Sequence, residues 1–161
     1  MQLRKSSSFP SCSPDVWDKV ALGWINGLGS GYLPFAPATW GSGVGWLLAW
    51  IESLFPWWGR LFFLLAALAF SVWAAKRLSP LPSKDPRWFV ADEVIALLAI
   101  ACIDPWISLG KSIGAFCFFR FWDIVKLWPA ESAEKLPTLW GIFMDDAIAA
   151  YYTLLCLRLL A

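Results

Sequence analysis

A small group of charged residues lies inside or beside strongly apolar stretches of this 161-residue chain. Charges in such surroundings are costly unless they are paired, hydrogen-bonded or bound to an ion. Carboxylates that crowd together repel one another unless a proton or a cation intervenes, and an all-oxygen set suits a hard ion such as Mg²⁺. The candidates for this chemistry are five acidic and two basic residues: Asp92, Glu93, Asp123, Asp145, Asp146, Arg120 and Lys126.

The segment FFRFWDIVKLWP places Arg120, Asp123 and Lys126 at intervals of three within an aromatic, apolar stretch. On a helix, residues three apart lie near one face, so Asp123 can pair with either basic residue. This spacing is compatible with a structural ion-pair ladder and with a functional site. In a functional site, Arg120 would suit bidentate recognition of a phosphate, and Lys126 would act as a point charge.

Two acidic pairs stand near the starts of two apolar segments that we predict to be helices, at residues 90–103 and 141–160. The helix dipole also favours acidic residues there, so simple helix capping is the alternative. Adjacent side chains on a helix point about 100° apart, and we therefore expect one member of each pair to ligate an ion directly. If these helices and the segment with Asp123 cross a bilayer, all of their carboxylates can face water at one interface.

A glycine- and proline-rich run, GLGSGYLPFAPATWGSG, precedes these segments. Backbone N–H groups in tight turns can form an anion-binding concavity. The spacing fits neither a P-loop nor a dinucleotide fingerprint, and close helix packing or a re-entrant turn is the alternative. Carboxylates for a metal, basic residues for phosphate oxygens and this run together favour phosphoryl-group chemistry.

The composition indicates a membrane environment. Hydrophobic residues make up 59% of the chain and charged residues 16%, whereas a typical soluble domain has about 25% charged residues. Residues 60–76 are predicted to span the bilayer, the preceding apolar stretch to be short or partly inserted, and a two-span hairpin is the alternative. The basic residues of 76–88 indicate a cytoplasmic loop. We therefore predict an all-α, membrane-embedded helical bundle with short or re-entrant helices and an interfacial, carboxylate-rich site.

The composition also argues against several classes of protein. The chain has no histidine, which excludes histidine-based nucleophilic pairs and histidine-ligated zinc. A net charge of +1 argues against nucleic-acid binding. The four cysteines are scattered and are interpreted as free. Residues 1–20 are predicted to be a mobile lead-in without a cleaved signal, and residues 21–161 a single domain.

Four blocks of the chain, in this order, resemble the phosphatidylglycerophosphatase A family: GLGSGYLPFAPATWGS, DPRWFVADE, FFRFWDIVKLWP and GIFMDD. The resemblance implies an integral membrane lipid phosphatase that depends on Mg²⁺. Such an enzyme hydrolyses phosphatidylglycerophosphate to phosphatidylglycerol and inorganic phosphate in bacterial phospholipid synthesis. The chain departs from the family at Ala38 and Leu127, where the family often has glycine and proline respectively.

Carried onto matching positions, the resemblance implies a site with three parts. The catalytic residues would be Asp123, Asp146, Arg120 and Lys126. The metal ligands would be Asp92, Glu93, Asp145 and Asp146. The phosphate-binding loop would contain Gly29, Ser30, Gly31, Thr39, Gly41 and Ser42.

The resemblance further implies a multi-pass protein of the bacterial cytoplasmic membrane, with the lipid bilayer and phosphatidylglycerophosphate as partners and the site on the cytoplasmic side. Attack by water and direct attack by an aspartate both remain open as mechanisms. The residues alone leave two other functions open. One is an ion or phosphate carrier in the membrane, and the other is an assembly subunit whose charges only pair helices.

Overall fold

A computed structural model describes residues 15–79, 86, 88–106, 108–125 and 139–160. Within these residues the chain forms six α-helices and one short 3-10 turn, and no strand, which confirms the all-α prediction. The helices are α1 Val16–Ile25, α2 Pro37–Ser53, α3 Trp57–Arg77, α4 Ala91–Ile103, α5 Leu109–Val125 and α6 Leu139–Leu159, and the 3-10 turn is Ser30–Tyr32.

Helix α4 lies at the centre of the bundle and packs against α2, α3 and α6. Ten of its 13 residues are buried. After the first turn its sequence is apolar on every side, and a helix of that kind is stable only when neighbours surround it. Leu97, Leu98 and Ile100 are fully buried and form the core together with Phe119 of α5.

Helix α2 approaches α4 closely because glycines face it. A Cβ atom added to Gly41 would lie 2.4 Å from Cβ of Val90, and one added to Gly45 would lie 2.9 Å from Cα of Val94. Both distances are far below van der Waals contact, so a side chain at either glycine would push the helices apart. The close packing proposed as one role of the glycine-rich run is therefore present in the fold.

Helix α3 is the one helix, among the described residues, that is long and apolar enough to cross a membrane. It has 21 residues. Its most apolar 18-residue stretch has a mean hydropathy of 1.6, and 22% of that stretch is buried. A core helix of a soluble protein would be mostly buried. Residues 60–76, predicted to span a membrane, lie within α3, which has exposed Trp57 and Trp58 at one end and Lys76 and Arg77 at the other; the span itself stays a prediction.

Helix α1 begins inside the segment that the sequence assigned to a mobile lead-in. Asp15 and Asp18 form a capping box at its start, which explains why the helix begins at Val16. Arg77 of α3 donates to Asp18 at 2.7 Å and to Asp15 at 3.2 Å, so the start of α1 is tied to the end of α3. Residues 1–14, which hold Cys12, and 80–85 lie outside the described residues, whereas Cys102, Cys117 and Cys156 are free, as predicted.

Helices α3 and α4 run in opposite directions, and this places the start of α4 at the basic end of α3. Nη1 of Arg60, in the first turn of α3, donates to the backbone oxygen of Ala101 near the end of α4 at 3.2 Å. At the other end of this pair of helices, Ala74 and Ala75 of α3 belong to the same apolar cluster as Ala91 of α4. The acidic first turn of α4 is therefore level with the last turns of α3.

Candidate metal and phosphate site

Three carboxylates from two helices converge at the start of α4. Asp92 and Glu93 lie in its first turn, and Asp146 lies in the second turn of α6. Each offers one oxygen, and the three oxygens lie within 4.8 Å of one another. The residues are 9%, 7% and 5% exposed respectively, so the cluster is buried. The predicted meeting of the two acidic pairs is present, with both members of the first pair taking part.

The participation of two adjacent residues differs from the expectation that one member of each pair would point into the site. Asp92 Oδ1 accepts the backbone N–H of Glu93 at 3.0 Å. The glutamate side chain is one methylene longer, and this length allows Glu93 to reach the cluster from its own side of the helix. In the second pair, Asp145 Oδ1 accepts the backbone N–H of Asp146 at 3.0 Å, and Asp145 is not one of the three grouped carboxylates.

Helix α5 adds a cation and a fourth carboxylate. Nη1 of Arg120 donates to Oδ2 of Asp123 at 2.6 Å, which confirms the pairing expected from their spacing. The same nitrogen donates to Oγ of Ser42 on α2 at 3.4 Å. The charge of Asp123 also acts on Asp146, whose pKa it helps to raise. The site therefore joins α2, α4, α5 and α6, while Lys126 lies outside the described residues.

Burial and like charge raise the pKa of two of these carboxylates. Burial, followed by the charge of Asp146, raises the pKa of Glu93 to about 8. The pKa of Asp146 is raised well above its usual range, first by burial and then by the charges of Asp92, Asp123 and Asp145. Carboxylates so placed must bind a proton or a cation, because their mutual repulsion is otherwise uncompensated.

Unpartnered buried atoms mark where a ligand would bind. Oε2 of Glu93, Oδ2 of Asp146 and Nε of Arg120 are buried without a hydrogen-bond partner among the described residues. Burying such atoms unpaired is costly. Three carboxylate oxygens close together fit a hard divalent cation such as Mg²⁺, which takes a few carboxylates and completes its coordination with water or phosphate oxygens. The residues present thus fit the predicted metal ion.

The residues of the predicted phosphate-binding loop mainly make hydrogen bonds and packing contacts that hold the loop in place. Gly29 has a φ of 99° and donates its backbone N–H to Oδ1 of Asn26 at 2.8 Å. Gly31 lies so close to Trp88 that an added Cβ would be 2.5 Å from the Trp88 backbone oxygen. The hydroxyl of Ser30 donates to the backbone oxygen of Asn26, and the backbone N–H of Thr39 donates to the backbone oxygen of Ala36. Gly41 packs against the side chain of Val90. Ser42 contacts a charged site residue, because its Oγ accepts from Arg120, and binding of phosphate by the loop stays a prediction.

Two features escaped the sequence interpretation. Asn26 is buried and fixes the loop, and its position directly after α1 and before Gly27 was an available signal. Glu52 is fully buried near the far end of α2, with both carboxylate oxygens unpartnered among the described residues. Burial raises the pKa of Glu52 to about 8, against the opposing charge of Arg60. Glu52 and Arg60 lie at the end of α4 opposite the carboxylate cluster.

Comparison with known proteins identifies what the chain is similar to. A family model described as Phosphatidylglycerophosphatase A matches residues 24–161. A Haemophilus influenzae protein named Phosphatidylglycerophosphatase A is 34% identical over 134 residues, covering 80% of this chain and 81% of its own. A Bacteroides thetaiotaomicron protein, provisionally named a phosphatidylinositol-3-phosphatase, is 36% identical over 145 residues, covering 79% of this chain and 84% of its own. No solved structure matches.

Proposed function

We infer the activity of this chain from its family: it belongs to the phosphatidylglycerophosphatase A family and is therefore a lipid phosphatase, a hydrolase of phosphoric monoesters. We propose that it hydrolyses phosphatidylglycerophosphate to phosphatidylglycerol and inorganic phosphate in phospholipid synthesis, and that it requires Mg²⁺. The observation that carries the proposal is the buried cluster of Asp92, Glu93 and Asp146 beside Arg120. This cluster combines ligands for a hard cation with a donor for phosphate oxygens.

The three clustered carboxylates would hold the ion, and Asp145 would support Asp146 through the hydrogen bond between them. When bound, Mg²⁺ supplies charge neutralisation at the phosphate and lowers the pKa of a nearby water. Without a cation, the same carboxylates would repel the phosphate of the substrate. A bound cation would thus allow an anionic substrate to bind among these acidic residues.

Arg120 would hold the phosphate group. Its guanidinium is fixed between Asp123 and Ser42, and the unpartnered Nε leaves a donor for a phosphate oxygen. A pre-oriented guanidinium recognises phosphate in a defined geometry. Lys126, three residues after Asp123 in the sequence, would add a second positive charge.

A carboxylate beside the phosphate would orient the attacking water and accept its proton. Asp123 and Asp146 are the two candidates, because the charge of Asp123 acts on the buried Asp146 and Asp123 is also bound to Arg120. The alternative is direct attack by an aspartate oxygen on phosphorus. In that path a phospho-aspartate forms as the P–O bond to the lipid breaks, and water then releases inorganic phosphate.

The site would lie at the cytoplasmic face of the membrane. Helix α3 would span the bilayer, with the other helices embedded beside it as further spans or re-entrant segments. The positive-inside rule supports a cytoplasmic position for the end of α3 that carries Lys76 and Arg77, and the acidic turn of α4 is level with this end. We propose that the protein belongs to the bacterial cytoplasmic membrane and works on lipid in its inner leaflet.

The test compares two lipid substrates with the same purified, detergent-solubilised protein. Phosphate release is measured from phosphatidylglycerophosphate and from phosphatidylinositol 3-phosphate, the second chosen from the name of the Bacteroides relative. We expect a much larger kcat/KM with phosphatidylglycerophosphate. A preference for the inositol lipid would replace the proposed substrate, and no release from either by folded protein would favour the carrier function.

A further inference from the structure

The segment of residues 28–36 connects α1 to α2 and exposes most of its apolar side chains. Leu28 is 80% exposed and Phe35 is 82% exposed, and Tyr32 and Leu33 are also exposed. The sequence has no charged residue between Lys19 and Glu52. A contiguous exposed apolar surface usually marks a site of contact with a partner or a membrane.

The backbone of this segment is held in an uncommon conformation at both ends. Leu28 has a φ of 57° and Ala36 has a φ of 46°, although neither is glycine. Left-handed backbone is costly for such residues and persists only where the surrounding structure enforces it. The Leu28 side chain gains little burial within the protein in return. The fold therefore holds the 28–36 segment in a shape that presents these side chains outward.

The base of the segment is fixed beside the carboxylate cluster. Gly31 packs against the backbone of Trp88, and the backbone N–H of Val90, two residues before Asp92, donates to the oxygen of Ile25 at 2.9 Å. On the other side, α2 continues from the segment to Ser42, whose Oγ accepts from Arg120. Both ends of the segment thus connect directly to elements that form the site.

The elements at its base are also level with one end of the candidate membrane span. Ile25 belongs to the apolar cluster that contains Ala74 and Ala75 of α3. Trp17 and Trp73, whose ring centroids are 6.3 Å apart, lie on α1 and α3 near the same end. Tryptophan is enriched where a membrane meets water. An uncharged apolar segment at this level is suited to lipid.

We propose that the 28–36 segment inserts Leu28, Leu33 and Phe35 into the lipid surface beside the site and so captures the lipid substrate from the membrane. This inference rests on the proposed function in taking the substrate to be a lipid. These three side chains would act on access of the substrate and not on the chemical step. Its residues would thus determine how strongly the enzyme prefers substrate in a membrane over substrate in solution.

The kinetic test uses L28N and F35S, alone and together, with long-chain phosphatidylglycerophosphate in mixed micelles. Asparagine removes the apolar side chain of Leu28 and tolerates left-handed backbone, so folding is preserved. Leu54→Ser is the matched control, because Leu54 is 81% exposed at the other end of α2. We expect the KM of the double variant, expressed as a surface mole fraction of substrate, to be about tenfold higher than that of the unsubstituted protein, because two apolar side chains lose burial in lipid. Its kcat should stay within about twofold of the kcat of the unsubstituted protein.

A short-chain, monomerically soluble phosphatidylglycerophosphate gives the second arm of this test, and with it the double variant should match the unsubstituted protein. An unchanged KM for the long-chain lipid, the same increase in the L54S control, or a loss confined to kcat would overturn the inference. If the unsubstituted protein releases no phosphate from either lipid, the proposed function fails, and the position of the segment is then decided without activity.

That position is measured with a nitroxide at residue 35, on a chain whose four native cysteines are replaced. A nitroxide at residue 19, in place of the exposed Lys19 of α1, is the reference. In vesicles of phosphatidylglycerol and phosphatidylethanolamine we expect the label at 35 to be relaxed more by oxygen, and the label at 19 more by a water-soluble nickel complex. Equal relaxation at both positions, or spin–spin broadening at 35 from a second copy of the chain, would contradict membrane insertion.

Discussion

Glu93→Gln should make the metal-free protein more stable while it abolishes activity. The pKa of Glu93 is raised from 4.5 to about 8 by burial and by Asp146. A carboxyl with a raised folded-state pKa supports stability fully below pH 4.5, and that support is lost as the pH rises toward 8. One pKa unit corresponds to about 1.4 kcal/mol, so ionisation of Glu93 lowers the free energy of unfolding at pH 7 by on the order of 3 kcal/mol relative to low pH. The neutral amide removes this cost and also removes a proposed metal ligand.

Thermal unfolding followed by tryptophan fluorescence, in detergent with a chelator, measures the effect. The variant should unfold at a higher temperature than the unsubstituted protein at pH 7 to 8, and the difference should shrink toward pH 4.5. Mg²⁺ at about 100 times its Kd should stabilise the unsubstituted protein by about 2.7 kcal/mol and the variant by much less.

Asp104→Asn is the matched control, because Asp104 is paired with Lys111 at the far end of α4. Loss of that pair should give no gain in stability and should leave the response to Mg²⁺ intact. A less stable Glu93→Gln protein in chelator, or an unchanged Mg²⁺ response, would refute the idea that repulsion between carboxylates is relieved by a cation.

Three further predictions concern residues with defined contacts. Arg120→Ala should lower kcat/KM by about 10²- to 10³-fold while the protein still accumulates in membranes. The double variant Arg120→Ala/Asp123→Ala should be equally inactive. It should nevertheless unfold at a higher temperature than Arg120→Ala alone, because no lone charge is left buried. Gly41→Ala should destabilise the protein by about 2 kcal/mol in thermal unfolding, since Val90 lies against Gly41, whereas Gly43→Ala, with no atom within 4 Å of its Cβ position, should not. Glu52→Gln should raise the unfolding temperature at pH 8, because the Glu52 carboxyl, with its pKa of about 8, is partly ionised there. The substitution should leave phosphate release unchanged. A lower unfolding temperature would show that the carboxyl is stabilised by a group that the amide cannot replace.

The sequence predicted those parts of the fold and site that depend on local spacing. The three-residue interval between Arg120 and Asp123 indicated that they could form an ion pair, because a helix brings such residues to one face. The apolar length of residues 60–76 likewise predicted α3. The all-α class followed from the same long apolar segments.

Features that depend on packing between helices could not be predicted in this way. The contact of Ser42 with Arg120 joins residues 78 positions apart and exists because α2 packs closely on α4. The reach of Glu93 into the same cluster as Asp92 depends on side-chain length and direction, which helical periodicity alone does not give. The ion pairs that tie the start of α1 to the end of α3 join Asp15 and Asp18 to Arg77, which is distant in the sequence. Tertiary contacts determine each of these features.

The central claim is that buried carboxylates hold a divalent cation for hydrolysis of a lipid phosphate. The most direct measurement is phosphate release from phosphatidylglycerophosphate by the purified protein, after chelation and after Mg²⁺ is restored, with Asp146→Asn alongside. We predict release that stops with the chelator, returns with Mg²⁺ and is absent in the variant. Release that continues in chelator, or an active Asp146→Asn protein, would contradict the account.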